Sequence, residues 1–245
     1  MKVYTGYNLN QSDTMQMDDG RIREAVSQTQ ILRLPRQTLA TFGTTVINYY
    51  LLTEPIYSDL VKGDETVIRE GRVSSERPRV VTPYYLTKLE GFGESAKRYL
   101  DMVIQQYGLH MPGLYYNYKN EHKDLLIVSD NIDVVIGRLN EKIDKDKDNL
   151  AAIIKGVDEL WDVSLLKFIS EMTQGSLKNN VAEMNSMGLL GVDAAGVPQE
   201  ARYRIEMMFM DVARGDREPH ELKEELDRWG VFPQYEDRFL SMFRR

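Results

Sequence analysis

The chain has 245 residues, is 42% hydrophobic and 28% charged, and carries a net charge of −7 at neutral pH. That composition belongs to globular proteins and excludes disordered and fibrous classes. It contains no cysteine, which rules out disulfide staples, thiolate zinc sites, iron–sulfur clusters and a cysteine nucleophile.

Length alone allows one large domain or two small ones. No apolar run reaches the ~18–20 residues that span a bilayer. The longest, Thr44 to Tyr57, is broken by Asn48, Thr53, Glu54 and Pro55, so no membrane partner is expected. The first thirteen residues hold one lysine and no apolar core. They do not read as a secretory signal, and a cytoplasmic location is the expectation.

Residues 1–20 are polar and are expected to form a flexible arm. Arg21–Gln30 carries a short helical stripe through Ile22 and Val26, and Pro35 stops any helix running through Ile31–Leu34. Thr44 to Leu52 is β-branched, aromatic and aliphatic, which predicts a strand ending at Glu54-Pro55. Gly63-Asp64 marks a turn, and Thr66–Val73 and Arg79–Tyr85 alternate as strands, the second flanked by Pro78 and Pro83. A helix is expected over Glu94–Tyr107, stopped by Gly108. Leu114–Tyr118 and Leu125–Ser129 then read as a hairpin around the polar turn Asn120–Lys123, followed by a helix capped by Asp130 or Asn131 and running through Lys142.

After Lys147 the pattern turns helical throughout. Leu150, Ile154, Val157, Trp161, Leu165, Phe168 and Met172 predict one long helix ending near Gly175, buried on more than one side. Further helices are expected over Leu177–Met187, from Pro198 to Gly215, from Pro219 to Gly230, and through Tyr235–Phe243. The reading is therefore α+β: a small, mainly antiparallel sheet with two helices, followed by an all-helical C-terminal region. In domain terms this is a flexible polar arm (1–20), an α+β domain (21–146) and a helical domain or subdomain (147–245). Charge follows the division, since residues 1–146 sum to −2 and 147–245 to −5.

Few strings carry chemistry. Asp144, Asp146 and Asp148 alternate like the start of an EF-hand calcium loop, but Asn149 stands where the turn glycine belongs and Lys155 where the bidentate glutamate belongs. A solvated linker fits those residues better, and no metal site is assigned. Gly91 to Lys97 places two glycines before a helix start, as phosphate sites do, yet the Walker spacing is missing. Asp158 and Asp162 stand one turn apart, but no Glu-x-x-His pair, His-Glu-x-x-His helix, nucleophile elbow or Rossmann glycine fingerprint accompanies them. Glu121, His122 and Asp124 fall at the expected hairpin turn, where charges face water. No cofactor is called for.

The strongest candidate ligand site is an arginine group. Arg69, Arg72, Arg77 and Arg79 lie within eleven residues, and guanidinium groups grip phosphate or carboxylate through paired N–H donors. Tyr84 and Tyr85 add stacking surface for a base. Glu70 and Glu76 are interleaved and would neutralise part of the set. An isoelectric point near 5.2 argues against broad nonspecific DNA binding. Methionines gather in the C-terminal part (Met172, Met184, Met187, Met207, Met208, Met210, Met242) and read as core. Three functions follow. The leading one is a cytoplasmic interaction or regulatory protein that binds a protein partner or itself and has no evident catalysis of its own. An RNA- or nucleotide-binding module using the Arg/Tyr face is the second. A hydrolase or transferase whose carboxylates and arginines come together only in the fold is the third.

Overall fold

A computed structural model describes residues 20–55, 57, 64–82, 84–85, 101, 104–106, 108–109 and 113–243. The expected arm (residues 1–19), Gly63, Pro83, most of the helix expected over 94–107 and the Gly91–Lys97 phosphate candidate lie outside them. The chain divides into two compact units: residues 1–77 with 117–178, and residues 78–116 with 179–245. The architecture is α+β, as expected. No helix among the described residues is long and apolar enough to cross a membrane.

In the first unit, residues 20–28 form helix α1. Five strands make one sheet: β1 (Gln30–Arg33), β2 (Thr45–Thr53), β3 (Thr66–Ser75), β6 (Tyr118–Val128) and β7 (Ala151–Lys155), in the order β1-β7-β2-β3-β6. Only the β2–β7 contact is parallel. Strand alternation gives the sheet two faces. On one, Leu52, Ile68, Ala151 and Ile153 meet helix α2 (Ile132–Asp146) through Ile132, Val135, Leu139 and Ile143. These four helix positions recur at three- and four-residue spacing, and Asn131 caps the start by accepting from the Asp133 N–H. Helix α3 (Trp161–Ser186) begins against the other face. There Tyr118 Oη lies 2.5 Å from Thr173 Oγ1, and the His122 and Trp161 rings sit edge to face with centroids 4.8 Å apart.

Three sequence expectations fail here, each for a physical reason. Ala151–Lys155 is a strand, not the start of a long helix. Its run of buried small and β-branched residues is what a central strand covered on both faces requires, and such a run has no period to separate it from a buried helix. No hairpin bends at Asn120–Lys123, because β6 runs unbroken for eleven residues against β3. Its polar stretch is the exposed part of an edge strand, where side chains face water without a turn. Third, α3 continues through Gly175, where the Cβ position is open space, to Ser186. It is buried along a single stripe (Leu165, Phe168, Met172, Ser176, Asn180, Met184) instead of on several sides. Gln30–Arg33 is an additional strand that the helical stripe before Pro35 did not reveal.

In the second unit, β4 (Arg79–Val81) pairs with β5 (Gly113–Tyr115), and residues 84–85 are already helical, so the strand expected as far as Tyr85 stops early. Three helices follow: α4 (Gln199–Arg214), α5 (Pro219–Trp229) and α6 (Phe232–Ser241). Gly215 and Gly230 end α4 and α5 in left-handed conformations that glycine adopts without steric cost, and Pro219 sits in the first turn of α5, as the sequence predicts. The core joins Val81, Ile205, Phe209, Leu222, Leu226 and Phe239. Phe239 and Met242 therefore dock on their own helices. Met172, Met184 and Met208 are buried core, while Met187 and Met210 are exposed.

Candidate functional site

The predicted arginines fall in both units, and the two on β3 lie on opposite faces of the sheet. Arg69, Arg72 and Arg77 belong to the first unit, and Arg79, Tyr84 and Tyr85 to the second. On β3, Arg69 stands opposite Leu51 and Arg72 opposite Asn48, so the two point to opposite faces of the sheet. Arg69 is largely buried. Its Nη2 lies 2.7 Å from Asp158 Oδ1, its Nη1 donates to Thr53 Oγ1 at 2.9 Å, and its guanidinium lies 5.8 Å from the centre of the Trp161 ring. Arg72 is exposed and pairs with Glu121 at 3.1 Å; Lys119 reaches the same carboxylate at 2.8 Å. The Lys119 hydrogen bond and charge, with Arg72 adding to them, hold Glu121 below the ordinary glutamate pKa. Arg77 lies over Phe42 at 6.0 Å. The acids that meet Arg69 and Arg72 are thus Asp158 and Glu121, from distant parts of the sequence.

The alternating aspartates do not converge either. Asp144 pairs with Arg33 and Arg36, and Asp148 accepts from Asn48 and from the Leu150 N–H. Among the described residues, no three acidic or histidine side chains gather as a metal site would require.

Arg79 enters a more concentrated cluster in the second unit. A cavity of about 270 Å³ is lined by Arg79, by Arg204 and Met208 of α4, by Arg217 before α5, and by Glu221, Glu224, Glu225 and Arg228 of α5. Its inner wall is a buried ion network. Arg204 Nη1 lies 2.7 Å from Glu200, and its Nη2 lies 2.5 Å from Glu225. Glu200 also accepts from the Val80 N–H at 3.2 Å, and Glu225 from Trp229 Nε1 at 2.9 Å. Helical spacing builds this wall: Glu200–Arg204 and Glu225–Trp229 are each four residues apart, hence neighbours on one helix face. Burial alone would raise the pKa of Glu225, but Arg204, with the Trp229 hydrogen bond and the Arg228 charge adding to it, outweighs burial and the carboxyl is held below its usual range. The Tyr85 ring packs tilted against Trp229 with centroids 4.5 Å apart, and its hydroxyl pKa is raised by burial and then by the charge of Glu225. Arg79 and Tyr85 were legible as candidates. Arg204, Arg217 and Arg228 were not singled out, although each has a glutamate one helical turn away, the only local signal available.

The outer rim of the cavity is less tightly paired. Arg217 Nη1 donates to Glu221 at 2.5 Å, but its buried Nε has no hydrogen-bond acceptor and lies 3.8 Å from Asp211. Arg228 lies 3.6 Å from both Glu224 and Glu225, beyond hydrogen-bond reach.

The first unit offers a different feature at its edge. Among the described strands, β6 has a neighbour on one side only. Its first half is protected by Lys119, Glu121 and Lys123 and by an irregularity opposite Glu70 and Gly71, the usual devices that keep an edge from pairing. Its second half lacks them. Leu125, Leu126 and Ile127 are 56%, 42% and 54% exposed, three consecutive apolar residues on an open strand, covering both faces of the sheet. The Leu125 N–H donates to Asp124 Oδ1 at 2.8 Å. Sequence reading missed this edge because it assigned the preceding residues to a turn.

Comparison of the chain with known protein families, with curated proteins and with solved structures finds no match.

Proposed function

We propose that this chain is a cytoplasmic interaction protein that binds a second copy of itself, with the two β6 strands pairing antiparallel about Leu126. The observation that carries this reading is the exposed run Leu125–Ile127 on an unprotected edge. Strand addition satisfies backbone groups along the edge and buries the alternate side chains. The run is compatible with itself: about Leu126, Leu125 faces Ile127 of the copy, and Asp124 faces Val128 instead of a second Asp124. No like charges meet, and every apolar residue in the run finds an apolar one. Such pairing is two-fold symmetric, the commonest symmetry among homo-oligomers.

Sedimentation or light scattering should therefore report twice the 28.4 kDa chain mass at about 50 μM protein, since dimer formation depends on protomer concentration. Leu126→Lys and Ile127→Lys should each give monomers that melt close to the wild-type temperature, because both positions are exposed. A wild-type monomer at that concentration, or a dimer indifferent to both substitutions, would overturn the proposal.

A further inference from the structure

We infer that the arginine-lined cavity of the second unit is a binding site for a small phosphate-bearing ligand, with Arg217 and Arg228 supplying the donors. Three observations converge. Arg79, Arg204, Arg217 and Arg228 reach one cavity from β4, α4, the segment before α5, and α5 itself. The mutual repulsion of these four charges is offset by Glu221, Glu224 and Glu225 of the same lining and by Glu200 behind Arg204. Arg204 holds Glu200 and Glu225 at 2.7 and 2.5 Å, while Arg217 and Arg228 stand at the rim. There the pairing is incomplete: Arg217 Nε is buried without an acceptor, and both contacts of Arg228 exceed hydrogen-bond length. A buried donor without a partner in a native fold calls for a missing acceptor, and an oxyanion with several acceptor oxygens provides one.

Size and charge narrow the ligand class. At about 30 Å³ per water in the liquid, about 270 Å³ holds roughly nine waters' worth of matter. That suits a phosphate or a small phosphate ester better than a full nucleotide. Glu221 and Glu224 on the rim oppose anions, so the site favours a group that meets two guanidinium forks at once over a lone monocarboxylate. Neither glutamate belongs to the buried network, and Glu224 is the more loosely held of the two, 3.6 Å from Arg228 against 2.5 Å between Glu221 and Arg217.

Titration calorimetry with inorganic phosphate tests the inference, with acetate as the monocarboxylate control. Wild-type protein should bind phosphate saturably below about 10 mM, with affinity falling as salt rises. Arg217→Gln should weaken phosphate binding about tenfold or more, the usual effect of losing a charge-assisted hydrogen bond. Glu224→Gln should tighten it. Both rim positions are partly exposed, so the variants should keep the wild-type melting temperature. As a second readout, Trp229, hydrogen-bonded to the lining residue Glu225, should change its fluorescence on titration in a Trp161→Phe background. Absence of saturable phosphate binding, equal affinity for acetate, or unchanged affinity in a folded Arg217→Gln variant would overturn the inference.

Discussion

Arg204→Met should destabilise the protein by about 3–5 kcal/mol, the range seen when one partner of a buried ion pair is removed. The substitution keeps an unbranched stem as far as the Nε position but removes the guanidinium, leaving two carboxylates, Glu200 and Glu225, buried without their shared counter-charge. Chemical denaturation at pH 7 measures the loss. The pH dependence then distinguishes this cause from a packing defect. In wild type, Arg204 holds Glu225 below its ordinary pKa despite burial. A carboxylate depressed on folding contributes stability that is full above its unfolded pKa, about 4.3, and is lost as pH falls through the folded value. Without Arg204 the largest source of that depression is gone, so the variant should lose less stability than wild type as Glu225 takes up its proton. The gap between wild type and Arg204→Met should therefore narrow as pH drops from 7 towards 4. A gap that stays constant over that range would show that lost packing, not the unpaired charge, sets the cost.

Gly71→Ala should cost about 2–3 kcal/mol, as overpacking of a filled core does. Gly71 lies in the middle of β3, and its paired residue is Tyr49 of β2. A Cβ at position 71 would overlap the Tyr49 phenol, whose Cε1 atom would be only 2.8 Å away. That ring cannot swing aside cheaply. It is among the largest fully buried side chains, and its hydroxyl donates to Asn120 Oδ1 of β6 at 3.0 Å. Thermal melting of Gly71→Ala, of Tyr49→Leu and of the double variant measures the coupling. The double variant should be less destabilised than the two single losses added together, because Tyr49→Leu removes the obstruction. Strict additivity, or a Gly71→Ala variant as stable as wild type, would show that no such overlap exists.

Gly71 also illustrates what the sequence conveyed. The β3 strand was legible from the alternation of Thr66–Val73, but nothing local distinguished a glycine that admits an aromatic ring from a weak point in the strand. Helices α4 and α5 were legible almost to the residue, since proline at the start and glycine at the end are local steric signals. Proximity in sequence grouped Arg69, Arg72, Arg77 and Arg79, yet β alternation turns Arg69 away from Arg72. The arginines that gather around Arg79 come from more than a hundred residues further along the chain.

By itself the sequence determined the α+β class, the helix ends at Gly215 and Gly230, a helix cap at Asp130 or Asn131, and the chemistry open to a chain without cysteine. Each of these rests on steric, hydrogen-bonding or compositional rules that act within a few residues or over the chain as a whole. Only the tertiary structure decided that Ala151–Lys155 is a central strand, that Asn120–Lys123 lies along an open edge, and that Arg204 bridges Glu200 and Glu225. A five-residue apolar run has no period of its own, and a polar stretch fits a turn or a solvated edge equally well. The partners of a buried charge are fixed by which surfaces pack, and that depends on contacts between residues far apart in the chain.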